Sequence, residues 1–399
     1  MFLLSRRVRE IEESQTLALT ALALKLKAEG VDVISLTAGE PDFPTPAHVK
    51  QAAVKAIEED FTHYTANDGI PELRKAIAQK FARDNNLHFK SEEILVSCGA
   101  KHSVFNAVQA LCDSGDEAVV ISPYWVSYPE IVKLANAKPV IVQTSADADF
   151  KLTAAQLKRA VTSRTKLLIL NSPGNPTGTV YTREEIEELA QVVHAAGIFV
   201  IADEIYEKVI YGGIQHFSIG SINRIADQVI TVNGVSKAFA MTGWRIGYIG
   251  GRKDVVAAAA KVQSQTTSNP TSISQKAALA AITGPEDDLK KMTAEFQRRR
   301  DFLCKQLGSV KEFQFRIPQG AFYLFPKIDS LYGRIGNNLV LKNSGDLSQY
   351  LLKQARVASV PGTAFGAKDY IRLSYACSVG TLETAVDRIR SAVLELKPL

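Results

Sequence analysis

Between residues 48 and 285 the chain alternates two textures. Short apolar runs rich in Val, Ile and Leu occur at EILVSCG, EAVVISP, KPVIVQT, TKLLILNSP, IFVIADE, QVITVNG and RIGYIGG. Runs of this length, closed by turn-forming residues, predict buried strands. Stretches such as SVFNAVQALC and REEIEELAQVVHAAG carry apolar residues at helical spacing between several of them. Strands alternating with helices predict an α/β fold with about seven strands in a mostly parallel sheet, covered on both faces.

The texture changes after residue 285. The charged helical stretch DDLKKMTAEFQRRRDFLCKQL leads into FQFRIPQGAFYLFPKI, ARVASVPG and YIRLSYAC, then a last helix. Helices with a few strands of antiparallel character predict a smaller α+β domain. At the other end, residues 5–29 read as an amphipathic helix or helix pair closing at Gly30, and ISLTAGEPDFPTP marks a turn and a junction. This N-terminal segment has no core of its own and is expected to pack on the smaller domain.

The composition is that of an ordinary globular protein: 399 residues, 46% hydrophobic, 22% charged, net charge +5. Basic residues are spread out, and RRR at 298–300 is the one dense run, so neither nucleic acid nor a membrane surface is an expected partner. The apolar run in MFLLSRRVREIEES is four residues long, too short for a secretory leader, and no run reaches the ~18 residues of a membrane span. A cytoplasmic protein is expected. Cys98, Cys112, Cys304 and Cys377 lack C-x-x-C spacing and the six histidines lack H-E-x-x-H spacing, so reduced thiols and no metal are expected.

In open α/β sheets ligands bind beyond the carboxyl ends of the strands. After the first strand, Gly99-Ala100-Lys101 opens a helix, a place where backbone N–H groups and the helix dipole attract anions. After TKLLIL, the turn Asn171-Ser172-Pro173-Gly174-Asn175-Pro176 presents a rigidly held amide at Asn175. After IFVIA comes Asp203, a carboxylate costly to bury unless paired, with Tyr206 one helical turn on. After QVITVNGV comes SKAFAMTGWRIGY: Lys237 is a candidate amine nucleophile, and Ser236 and Arg245 could hold a phosphate. Each has a plainer reading as a turn, a helix cap or a surface cation. Together they place phosphate donors, a carboxylate, a phenol and an amine at one sheet edge, the set that a phosphorylated pyridine aldehyde requires.

SPGNPTG, DEIY and SKAFAMTGWRIGY, with TAGEPDF, YTANDGIPELR, GAKHSVFN, PYWVSYPE and YIRLSYA, resemble class I pyridoxal-phosphate aminotransferases of fold type I, and among them the bacterial aspartate aminotransferases of subgroup Ib. The resemblance runs essentially end to end. It implies a large cofactor-binding domain over 46–285 and a small domain formed by 1–45 and 286–399. It implies Lys237 as the Schiff-base lysine and general base, Asp203 as partner of the pyridine nitrogen, and Asn175 and Tyr206 as donors to the ring hydroxyl. Gly99, Ala100, Ser236 and Arg245 match the phosphate cup, Lys101 adjoins it, and Trp125 matches the aromatic that stacks on the ring. Tyr64 matches a tyrosine reaching the neighbouring subunit's phosphate, which implies a homodimer. Arg372 resembles the fork that grips the substrate α-carboxylate, helped by Asn175 and the backbone at Gly39; Lys101 and Thr16 match residues near the distal carboxylate.

The activity so implied is ping-pong transfer of the amino group from L-aspartate to 2-oxoglutarate. Some relatives also accept prephenate, and several of these carry a basic residue where this chain has Glu12. A broad-specificity or aromatic aminotransferase, a C–S lyase on the same fold and a cofactor-sensing regulator are the competing readings. Lys101 disfavours the aromatic one, and a regulator is expected to carry a DNA-binding extension.

Overall fold

The computed structural model describes residues 4–398. All seven apolar runs form strands of one sheet: β1 (Ile94–Ser97), β2 (Glu117–Ser122), β3 (Lys138–Gln143), β4 (Thr165–Asn171), β5 (Phe199–Asp203), β6 (Val229–Gly234) and β7 (Gly247–Gly250). Their spatial order is β1-β7-β6-β5-β4-β2-β3, parallel except for β7, which runs antiparallel to both β1 and β6. Side chains alternate between the faces. Leu167, Ile169 and Ile201 join one core with Val104, Val108 and Ala259, whereas Leu168, Leu170 and Val200 join another with Leu189 and Val193. Both faces are covered, so each such side chain contributes about 1.5–3 kcal/mol of burial.

Helix α1 (Ala100–Leu111) follows β1, and α2 (Ser127–Leu134) follows β2. β4 and β5 pair in register up to their last residues, Asn171 opposite Asp203. That register brings the turn after β4 and the acid of β5 to the same sheet edge.

Beyond residue 285, α3 (Asp287–Leu307) and α4 (Val379–Leu394) pack beside an antiparallel sheet. Its strands are β8 (Tyr323–Leu324), β9 (Val360–Pro361) and β10 (Ile371–Ser374), with β10 in the middle. Ile34–Ser35 pairs in parallel with Val357–Ala358, and Ile34 and Leu36 share a core with Phe296, Leu303, Leu373 and Ile389. The two ends of the chain are thus packed together.

The N-terminal segment departs from expectation in two ways. It is the helix pair that the sequence allowed, Arg6–Glu10 and Gln15–Ala28, but the first lies against α2 of the large sheet's layer rather than on the smaller region. The Glu12 amide donates to Glu130 Oε2 at 2.9 Å, which ties the connection there. The second helix does pack on Ile34–Ser35 and β9, but it is not amphipathic: Ala23 is its one fully buried residue, while Leu17 and Leu24 are 65% and 63% exposed. Among the described residues no helix is long and apolar enough to cross a membrane.

Candidate active site

A cavity of about 380 Å³ opens over the carboxyl ends of β4, β5 and β6, where the smaller region meets the sheet. Of the residues singled out from the sequence, all but Gly99 and Tyr64 line it. Gly99 lies just behind the lining, and Tyr64 stands 92% exposed outside this chain's own cavity.

Asp203 ends β5 and is almost fully buried. Tyr128, from the first turn of α2, donates to its Oδ2 at 2.7 Å, and the Ile205 amide donates to Oδ1 at 3.2 Å. Burial pushes the carboxyl up to about 6, and the two donors hold it from rising further. Asn171 reaches from β4 to the Asp203 carbonyl at 2.8 Å, while its side-chain oxygen accepts the Asn175 amide at 2.9 Å. One side chain thus couples the acid-bearing strand to the turn that presents Asn175.

Lys237 follows β6 and reaches into the cavity, where its ammonium donates to the Gly39 carbonyl. Burial lowers its pKa to about 8; Arg372 and Arg245 push in the same direction, against Glu40 and Asp203. Near pH 8, half of these amines are neutral and able to act as nucleophile or base. Tyr206 lies alongside, its hydroxyl 2.8 Å from that of Tyr323.

The anion cradle is built from glycine and arginine. Gly99 caps α1 at φ +91°, and a Cβ there would strike the Arg245 guanidinium. On the other side a Cβ on Gly247 would strike the Gly99–Ala100 backbone. β7 can therefore approach the helix N-terminus only because both positions are glycine. Arg245 is held by Thr242 O at 2.7 Å, and Ser236 is buried beside it in the cavity wall.

Arg372, in the middle strand of the antiparallel sheet, is 2% exposed. Nη1 donates to Asn175 Oδ1 at 3.0 Å and Nη2 to Thr37 O at 2.7 Å, while Nε has no partner. The guanidinium carbon lies 4.4 Å from the Tyr323 ring centroid and 5.0 Å from that of Phe365. A buried cation held by neutral groups keeps a charge that no partner balances, and its fork geometry matches a carboxylate. At the mouth Lys101 Nζ stands 5.1 Å from the Trp125 ring centroid. Thr16 shares the rim and accepts Thr20 Oγ1 at its carbonyl, 2.8 Å.

Tyr128, Tyr323 and Thr37 also belong to this site. Tyr128 stands three residues after Trp125 and Tyr323 sits in an apolar strand; both look like core aromatics in the sequence, and only Tyr128's place within PYWVSYPE offers a signal.

A buried acid, a depressed lysine, phenol and amide donors, and a glycine–arginine anion cradle fit a phosphorylated pyridine aldehyde: the arrangement defines a pyridoxal-phosphate enzyme. The family model for aminotransferases of class I and II matches residues 31–389. The aspartate aminotransferase of Geobacillus stearothermophilus is 48% identical over 387 residues, covering 97% of this chain and 98% of that one. A bifunctional aspartate aminotransferase and glutamate/aspartate-prephenate aminotransferase of Petunia hybrida is 48% identical, covering 99% and 84%. The crystal structure of the aspartate aminotransferase from Rhizobium meliloti superposes with a TM-score of 0.96 at 44% identity, over 100% of both chains. The chain belongs to the class I and II aminotransferases. It is a pyridoxal-phosphate-dependent enzyme of fold type I.

Proposed function

We propose that the enzyme transfers the amino group of L-aspartate to 2-oxoglutarate, giving oxaloacetate and L-glutamate. The observation that carries this reading is a pair of cations on one cavity: Arg372, buried and forked, and Lys101 at the mouth. A dicarboxylic substrate offers each of them a carboxylate. The names of the relatives point the same way.

When bound, pyridoxal phosphate supplies an electron sink and an aldehyde carbon for the substrate amine. Lys237 would hold the cofactor covalently, and its freed amine would carry the proton at the substrate α-carbon. Asp203, oriented by Tyr128, would keep the ring nitrogen protonated. Asn175 and Tyr206 would donate to the ring hydroxyl oxygen, and Trp125 would cover a ring face. The Gly99–Ala100 amides, Ser236 and Arg245 would take the phosphate. Arg372, with Asn175 and the Gly39 backbone, orients the α-carboxylate, while Lys101 and Thr16 face the distal one.

Residues 46–285 are read as the cofactor domain, with 1–45 and 286–399 as the small domain. A homodimer in which Tyr64 reaches the neighbouring phosphate is supported by the exposed Val54, Ile57 and Tyr64 on one stretch of chain. Four unpaired thiols support a reducing, cytoplasmic setting. A second activity toward prephenate is favoured by the Petunia relative's name.

Lys237→Ala tests the assignment. It is expected to bind cofactor without multiple turnovers; sustained turnover by the variant contradicts it.

A further inference from the structure

The segment Asp203–Glu207 faces two ways. Asp203, Ile205 and Tyr206 line the cavity, whereas Glu204 and Glu207 turn away from it into a buried polar cluster. Ser218 Oγ donates to Glu204 Oε1 at 2.6 Å, and Asn85 Nδ2 donates to Glu204 Oε2 at 3.2 Å and to Glu207 Oε2 at 2.5 Å. Lys80 donates to Glu207 and, at 2.7 Å, to Asn85 Oδ1. His216 Nε2 lies 3.0 Å from Glu204 Oε2, off the line of a hydrogen bond, with its side chain 9% exposed. The backbone between is a tight turn: the Glu207 amide donates to Glu204 O at 2.9 Å and Val209 to Tyr206 O at 2.8 Å.

We propose that Glu204 and Glu207, gripped by Lys80, Asn85, Ser218 and His216, form a rear clamp that positions Asp203 and Tyr206 for the cofactor and balances charge behind them. Each cofactor-facing residue is followed directly by a glutamate anchored on the opposite side, so neither can shift without breaking buried polar contacts of its neighbour. The inference rests on reading Asp203 and Tyr206 as the cofactor-facing pair, and these four partners are positioning residues.

Glu204 and Glu207 face Lys80, which also stands 3.8 Å from Asp84, so a protonated His216 lessens the net negative charge of the cluster. Burial works against the imidazolium, but Glu204 and Glu207 outweigh both this and Lys80, and the histidine titrates above its ordinary value. Lys80, His216 and Asn85 outweigh burial at Glu207 and keep it ionised. The remaining charged groups around His216 line the solvent cleft of about 550 Å³ outside it: Arg83, Asp84, Arg183 and Glu187. Asp84 is itself paired with Lys208 at 3.1 Å. The ligand atoms of Glu204, Glu207 and His216 lie within 4.8 Å of one another, but Lys80 already serves as the cation there.

The test uses opposite charge changes. In the holoenzyme, His216→Gln leaves an uncompensated negative charge behind Asp203 and is expected to raise the pH midpoint of the bound cofactor's visible absorbance. Glu204→Gln is expected to lower it, each by on the order of half a unit. His216→Lys, which keeps the positive charge, is expected to retain the wild-type midpoint. Both glutamine variants are expected to weaken cofactor binding about tenfold, the low end for outer-shell partners. In the apoprotein, the His216 ring should titrate above the ordinary histidine value by NMR, a readout that needs no variant to fold. A fall in melting temperature with unmoved midpoints and unchanged cofactor affinity overturns the clamp, as does a His216 ring that titrates at or below the ordinary histidine value. Asp203→Asn is the control: if it too leaves affinity and absorbance unchanged, the reading of the site fails instead.

Discussion

Tyr128 donates its phenol hydrogen to Oδ2 of Asp203 across 2.7 Å, with both side chains buried. This is the strongest side-chain contact on the acid that the cavity contains, and it comes from a different strand–helix unit. Burial alone drives Asp203 toward its neutral form, and Tyr128 is the principal opposing influence. Tyr128→Phe is therefore expected to raise the Asp203 pKa further and to weaken cofactor binding by about 1–3 kcal/mol, the loss of one donor to a buried acceptor. Cofactor titration of the apoenzyme measures this; unchanged affinity means that Asp203 does not depend on Tyr128.

Arg372 makes two hydrogen bonds, to Asn175 Oδ1 and Thr37 O, that hold its fork in one plane. Lysine keeps the charge but cannot make both while gripping a carboxylate. Arg372→Lys should lose one or two charge-assisted bonds, about 1.5–3 kcal/mol each, so kcat/KM for aspartate should fall at least about 10-fold. Steady-state kinetics decide, and a loss under threefold removes Arg372 from substrate binding.

The large sheet is legible in the sequence because strands buried on both faces read as largely apolar runs; even the edge strand Lys138–Gln143, which has no buried residue, keeps the run PVIV. Asp203 is legible because a charge directly after such a run is out of place, and Lys237 through its company in SKAFAMTGWRIGY. Tyr128 and Tyr323 are not, since an aromatic in an apolar setting looks the same whether its hydroxyl meets water, Asp203 or Tyr206. Nor is the open face of Gln15–Ala28: Leu17 and Leu24 mimic a core-facing stripe, yet both lie open on the surface. Tyr64 carries its signal only through resemblance, for one chain does not bring it to its own cavity.

Gly99 is required on two counts, a φ of +91° and the absence of a Cβ against Arg245. Gly99→Ala is expected to cost about 1–2 kcal/mol in backbone strain and to displace the guanidinium, lowering the melting temperature and cofactor affinity together. Inorganic phosphate should protect the wild-type apoenzyme against heat more than the variant. Equal protection would place the phosphate elsewhere.

The apoenzyme's stability should carry the mark of Asp203. Its folded carboxyl titrates at about 6, against an ordinary value of 3.8. Between these values the folded state retains a proton that the unfolded chain has released, so this group's contribution is present at low pH and is lost as pH rises through about 6. The loss is on the order of 2–3 kcal/mol. Denaturant unfolding of wild type and Asp203→Asn from pH 4 to 7 should show the difference between them shrinking by that amount. A difference that grows with pH contradicts the sign.

Lys237 runs the other way. Its pKa is lowered to about 8, so charging it in the fold is unfavourable, and its contribution to apoenzyme stability rises as pH climbs from about 8 toward the ordinary 10.5. Reaction of this amine with a carbonyl reagent should be half-maximal near pH 8. A midpoint near 10 would leave Lys237 as an ordinary surface amine.

Arg372 and Lys101 together make a two-cation site suited to dicarboxylic substrates. The most direct measurement is the half-reaction of the holoenzyme with aspartate, glutamate, phenylalanine and alanine, each alone, followed by the change in cofactor absorbance. Aspartate and glutamate are predicted to convert the cofactor fastest, and Lys101→Ala to slow these two while sparing phenylalanine. Fast conversion by phenylalanine or alanine alone would contradict the assignment of Lys101 and of aspartate as substrate.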